Sequence, residues 1–493
     1  MSTVEVDRNT GIHRARLWQI AGFTLNNMAT NLYMFYFFFI AYYMTGFVGV
    51  GVVLASTIIM LMRIWDGVTD PFIGYLVDRT NTKIGKNRPF MIIGNIMLLV
   101  FSFLMVHATH KFPAAARFPV FIVLYMLYII GYTFQCVVTK SAQTCLTNDP
   151  KQRPIFAIFD GLLVTLLSAF MPMLVAALTK KYGGFNEQFF HNFWMIVAPI
   201  SLLCTAVAIF SIASKDRLEF FGLGKVQKPN FKDYWEVLSK NRAIQMLVVS
   251  ASTDKLALNA QSNGTVGVIV YGIVCGNFAL QGALGAYTAI PTFLMLLFGV
   301  GYIARKLGQK KAMLFGTYGS LVTCALIIVL FYALDPMTFR LPKTDGYTGM
   351  TAFTVLYVLL FLLFKGFSGV SSNIVIPMTA DCADYEVYRS KKYVPGLMGT
   401  VFSFVDKLIS SLSATIVGLL CAAIGFKEQL PTIDTPFSPQ LKFVGLFAMY
   451  GLVIIGLLFN VVAMKFYPLN KEKMAEIQAE IAKIKAEQGA AAQ

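Results

Sequence analysis

"VGVVLASTIIMLMRIWDGVTDPFIG", residues 50–74, is an apolar run that carries one arginine and two aspartates, Arg63, Asp66 and Asp70. A run of this length crosses roughly 30 Å of hydrocarbon as a helix. Each unpaired charge near the centre of such a helix costs about 2.5 to 3.5 kcal/mol on insertion scales, so charges kept there have a use. The three are spaced i, i+3 and i+7, which places them on one helix face. Arg63 can neutralise one carboxylate and leave the other for a cation or a proton. Na+ wants several oxygen ligands, while neighbouring carboxylates favour holding a proton, so both ions suit the pair. The alternative is a static cluster that only ties helices together.

The rest of the chain has the same character. Of its 493 residues 57% are hydrophobic and 13% charged, and the mean hydropathy is +0.65, outside the soluble globular range. Spanning runs are expected near 17–44, 50–74, 88–107, 117–140, 153–178, 190–213, 242–274, 278–304, 310–333, 350–380, 397–424 and 440–466. The fold class is therefore an all-α polytopic membrane protein with twelve transmembrane helices. The first span follows a short basic segment, lacks a small-residue cleavage site, and reads as uncleaved.

The formal charge is +16, yet its placement matters more than its size. Of the 41 Lys and Arg, 28 fall in the amino terminus, the even-to-odd loops and the tail, and eight on the opposite side. The positive-inside rule then puts both termini in the cytoplasm, in a multi-pass cell inner membrane protein. The basic excess is topology and does not indicate a nucleic-acid partner. The seven cysteines lie in or at the ends of the expected helices without a CxxC pair, so neither a disulfide frame nor a zinc site is indicated. Four scattered histidines give catalysis little to stand on, and no Walker-type phosphate loop supports ATP-driven transport. No enzyme, resident cofactor or metal is expected.

The hydrophilic stretch 214–241 divides the spans six and six, between bundles at 17–213 and 242–466, with cytoplasmic ends at 1–16 and 467–493. "GYLVDRTNTKIGKNRP" (74–89) after helix two is echoed by "GYIARKLGQKK" (301–311) after helix eight. Repeated halves with a site between them at mid-membrane are the architecture of many secondary transporters. The tail from Asn470 carries Met474, Ile477, Ile481 and Ile484 at helical spacing and is expected to be a cytoplasmic helix.

Ten ionisable residues fall within the helices: Arg63, Asp66, Asp70, Lys140, Asp160, Asp254, Lys255, Lys365, Asp406 and Lys407. Five are acidic and five basic, a balance that argues for pairs facing a shared polar interior.

"RIWDGVTDPFIGYLVDRTNTKIGKNRPF", "MTADCADYE" (378–386) and "GLMGTVFSFVDKLISSLSA" (396–414) resemble the glycoside-pentoside-hexuronide:cation symporters of the major facilitator superfamily. The resemblance implies two six-helix bundles and sugar uptake coupled to Na+, Li+ or H+ by alternating access. It implies a coupling-cation site at Asp66 and Asp70, with Arg63 before them and Lys407 near them. It also implies an inner gate in which Asp78, Arg79, Arg88, Asp381 and Asp384 form ion pairs with the facing bundle.

The departures are informative. In helix four Cys136 stands where the family shows a carboxylate or amide, and Lys140 where it shows an aromatic. The family's sugar-binding arginine aligns near Gly161, beside Asp160, and its sugar-binding aspartate with Thr30 or Asn31. Tyr33 and Tyr36 lie within about one turn of Asn31 and are further cavity candidates. The incomplete ligand set favours H+ over Na+. Lys140, with Lys255, favours an acidic substrate such as a hexuronide, whose carboxylate a cavity lysine would attract. The competing arrangement pairs Lys140 with Asp160 and Lys255 with Asp254 or Asp406, leaving the cavity neutral. The implied partners are a small-molecule sugar or glycoside, a monovalent cation and the bilayer, with function as a monomer. The rival substrate class is a lysolipid or other amphipathic solute on the same scaffold.

Overall fold

The structure is a computed structural model that describes residues 13–80, 82–147, 152–217, 239–342, 350–390, 395–477 and 479–480. It is helical throughout; among the described residues the one extended pairing is an isolated bridge between Thr82 and Gly85. In hydrocarbon, a helix satisfies every backbone group within its own segment. The long helices are α1 Leu17–Phe37, α2 Val52–Arg79, α3 Arg88–His107, α4 Ala114–Leu146, α5 Arg153–Tyr182 and α6 Glu187–Ile212. They continue as α7 Arg242–Gln261, α8 Ala279–Leu307, α9 Gln309–Ala333, α10 Ala352–Ser390, α11 Pro395–Ala423 and α12 Pro439–Phe466.

Among the described residues nine helices are long and apolar enough to cross a membrane, or up to eleven if each of two bent pairs is one span. The twelve expected spans are not counted directly by that measure. Helix seven differs most from expectation. The run at 242–274 is not continuous, because α7 ends at Gln261 and Asn263 caps a new short helix, its Oδ1 accepting from the Thr265 amide at 2.9 Å. A capping asparagine followed by glycine restarts the backbone even inside an apolar run.

The chain forms two compact units, one of residues 1–225, 281–289 and 418–435, the other of 226–280, 290–417 and 436–493. The division at 225/226 falls within the expected linker, whose residues 218–238 lie outside the described residues. Within the described residues the tail is helical over 471–477 and at 479–480.

In the first unit Phe23, Met91, Phe134, Phe156 and Ile212 form a buried cluster. Small residues let α3 and α4 touch. A Cβ on Gly131 would stand 2.7 Å from Met97 Cβ and 3.1 Å from the Gly94 carbonyl. Close approach of this kind replaces the hydrophobic drive that lipid cannot supply. Gly131→Leu is expected to wedge the helices apart, with a loss of about 1–3 kcal/mol, read as a lower melting temperature in detergent. An unchanged melting temperature would contradict the contact. The aromatic run of helix one is packing. Tyr33, Tyr36 and Tyr43 are fully buried, and Phe37 stacks on Tyr128 at 4.0 Å between ring centroids.

The second unit has its own core, with Leu247, Met313, Ile374, Met378 and Met464 among its members. There α12 lies directly on α7, since a Cβ at Gly456 would meet the Thr253 carbonyl at 2.8 Å.

Candidate functional site

In the first unit, α2 brings Asp66 to α4. Asp66 is 2% exposed, and its Oδ1 lies 2.9 Å from Thr133 Oγ1. Thr133 Oγ1 also lies 2.9 Å from the Ile129 carbonyl and 3.2 Å from Thr69 Oγ1, while Thr69 donates to the Asp66 carbonyl at 3.1 Å. Arg63, one turn earlier on α2, interacts electrostatically with Tyr132, Asp66, Tyr125 and Cys136. Helical spacing alone accounts for this grouping, because Tyr125, Tyr132, Thr133 and Cys136 recur on the α4 face that meets α2. Asp70 is half-buried one turn further along. Thr69 and Thr133 were not singled out by the sequence. A signal existed, since Thr133 precedes Cys136 by three residues on one face, but a hydroxyl in a helix is common enough to pass unnoticed.

The remaining candidates of this unit spread over several helices. Thr30 is buried and donates to the Asn26 carbonyl at 3.0 Å, and Asn31 is half-buried on the same helix. Tyr36 is sealed in the bundle and donates to the Phe190 carbonyl at 3.3 Å. Asp160 accepts from Asn27 Nδ2 at 3.4 Å. Lys140 is exposed and makes no ion pair among the described residues, so the pairing with Asp160 considered above does not form there.

In the second unit Lys255 of α7 forms an ion pair with Asp406 of α11, one of the two pairings that the sequence left open. Asp254, its neighbour, accepts instead from Asn460 Nδ2 of α12 at 2.5 Å. Lys407 is half-buried on α11. Lys365 lies with its ammonium 5.4 Å from the Phe361 ring centroid, a cation–π contact within its own helix.

The gate candidates divide as follows. The side chains of Asp78 and Arg79 lie outside the described residues. Arg88 has its acidic partner within its own unit, where its Nε stands 3.5 Å from Asp216 Oδ2. Asp216 sits just after α6 and takes the backbone amides of Lys86, Asn87 and Arg88 at 3.0–3.2 Å, with Asn87 Nδ2 at 3.0 Å. It therefore caps α3 from 128 residues away, where the positive end of the helix favours a carboxylate. Gly85, at φ +119°, gives Asp216 room to approach, as a Cβ there would collide with the carboxylate. Asp381 and Asp384 lie within electrostatic reach of each other on α10. Asp381 also lines a cavity of about 300 Å³ with Gln309, Lys310, Tyr467 and Lys471, where the tail begins and away from the membrane charges.

Comparison with known proteins bears on the family and the fold. Residues 22–471 match the family model described as MFS/sugar transport protein. The glucuronide carrier protein homolog of Escherichia coli K12 is 25% identical over 473 residues, covering 94% of each chain. The isoprimeverose transporter of Lactiplantibacillus pentosus is 20% identical, over 91% of this chain and 88% of that one. Among solved structures, a bacterial homologue of the iron transporter ferroportin in an outward-facing state superposes with a TM-score of 0.55. That likeness is at 13% identity, over 92% of this chain and 99% of that one, and concerns the fold alone. The chain belongs to the MFS/sugar transport protein family, and its relatives support the resemblance to the glycoside-pentoside-hexuronide:cation symporters.

Proposed function

We propose that this member of the MFS/sugar transport protein family carries a sugar or glycoside bearing an acidic group, coupled to H+ in preference to Na+, by alternating access. The observation that carries the acidic substrate is Lys140, an exposed lysine on the helix of the coupling site that makes no ion pair among the described residues. Lys255, by contrast, is already engaged with Asp406. A carboxylate on the substrate gives Lys140 an opposite charge to pair with, an attraction that grows as bound substrate excludes water. The name of the glucuronide carrier homolog points to the same substrate chemistry.

One feature supports the proton. Cys136 offers a thiol where a third oxygen ligand would help to hold Na+, which is poorly matched to sulfur.

Lys140→Gln is expected to weaken binding of a hexuronide about tenfold or more while changing a neutral glycoside less than twofold, since a hydrogen bond to a charged group contributes about 1.5–3 kcal/mol. Ligand-dependent thermal shifts of the purified protein would measure both. Equal losses for the two sugars would assign Lys140 a structural role. A response to lysolipid with none to any sugar would overturn the substrate class.

A further inference from the structure

Asp254 and Asn460 form a pair that the transport reading does not yet use. Asp254 Oδ2 accepts from Asn460 Nδ2 at 2.5 Å. The other two oxygens, Asp254 Oδ1 and Asn460 Oδ1, are both buried and have no hydrogen-bond partner among the described residues. Asn460 is 0% exposed. Two orphaned acceptors on one bonded pair are costly, about 1–3 kcal/mol each and more for a charged group.

A single proton resolves both. A carboxylic acid and a primary amide can bond through two parallel hydrogen bonds, with amide N–H to acid C=O and acid O–H to amide C=O. The first of these bonds is present, and a proton on Asp254 Oδ1 supplies the second. We propose that Asp254 and Asn460 are such an acid–amide pair, in which Asp254 holds a proton that the transport cycle takes up and releases. That Asp254 holds the proton stands on geometry alone; that the cycle moves it rests on the proton-coupled reading above.

The surroundings leave the assignment to these two groups. The elements packed on α7 include α12, α10, the segment Phe447–Gly451 and the short, uncharged helix Gly264–Gly267. On α7 itself Lys255 pairs with Asp406, and Arg242 lies over the Phe466 ring. On α10 Lys365 lies against Phe361, Glu386 is paired with Arg389, and Asp381 and Asp384 interact with each other. Lys465 is exposed at the end of α12, and the Tyr450 hydroxyl bonds to Tyr357. Among the described residues the Asn460 amide is the one side chain that acts on Asp254. The tight seam at Gly456, one turn before Asn460, keeps α7 and α12 at this distance. When the proton leaves, the Oδ1–H bond breaks, the proton passes to water, and a carboxylate remains with one amide donor. That state favours separation of the pair or entry of water, so loading and release couple to movement at the α7 and α12 contact.

The test is infrared spectroscopy of the full chain in lipid vesicles without substrate, titrated from acid to mildly alkaline pH. Asp254→Asn is the matched variant, because an amide–amide pair makes the same ring without a removable proton. The expected result is a protonated-carboxyl C=O band near neutral pH in the parent protein that is missing from Asp254→Asn. Identical spectra would overturn the acid–amide pair. Substrate counterflow by the same variant is expected to stay within twofold of the parent, while pH-driven accumulation falls tenfold or more. Full accumulation would overturn the role in the cycle. If the parent moves no protons with substrate, the coupling reading fails, and the infrared band still decides the state of Asp254.

Discussion

Asp66→Asn is expected to reduce transport from concentrative to merely equilibrative while leaving the protein inserted. The amide keeps the shape of the carboxyl and an oxygen within reach of Thr133 Oγ1, which in the parent stands 2.9 Å away. It cannot gain or lose a proton in the working range, nor supply charge to a cation. Insertion itself should not suffer, because removing a charge from a helix centre lowers the insertion cost. The size of the effect follows from the driving force. One charge moved across 100 mV carries about 2.3 kcal/mol, enough for a roughly fifty-fold concentration ratio, and that ratio should collapse towards one. Accumulation of labelled sugar against counterflow in the same vesicles separates loss of coupling from loss of binding. Asp70→Asn is expected to behave alike, and normal accumulation in both variants would sink the site.

The second large effect is on folding. Asp216→Ala removes a side chain that is 0% exposed and that receives three backbone amides, the Asn87 amide and the Arg88 guanidinium. Losing one partner of a buried charged network typically costs about 3–5 kcal/mol, because the donors left behind have nothing to bond. Thermal unfolding in detergent should show a clearly lowered transition and a poor yield of folded protein. Asp216→Asn, which keeps an acceptor and loses the charge, should fall between. A transition for Asp216→Ala equal to that of the parent would show that α3 finds its cap elsewhere.

The contrast between these two sites shows how far the sequence could be read. Arg63, Asp66 and Asp70 were visible because charge inside an apolar run is expensive, and their spacing already placed them on one face. Asp216 looked like any residue of a polar linker. Its role depends on Asn87 arriving from 129 residues away, with Gly85 beside it, which no local pattern reveals. Thr133 and Asn460 were hidden for a related reason, since a hydroxyl or amide in a membrane helix declares itself only through its partner. The break in helix seven was written in "QSNG" at 261–264, but the hydropathy on both sides outweighed it. Tyr33 was placed near the cavity by its distance from Asn31, whereas its direction on the helix turns it into the bundle. The order of pairing was also legible only in part: Lys255 could have met Asp254 or Asp406, and geometry selected Asp406.

The central claim is that the charges of α2 and α4 couple an acidic sugar to protons. Its most direct test is electrogenic transport in proteoliposomes, with neutral glycosides, hexuronides and lysolipids each applied with and without Na+ and across pH. The expected result is a current with a hexuronide that follows pH and is unmoved by Na+. A current that requires Na+ at every pH, or silence with every sugar, would contradict the account.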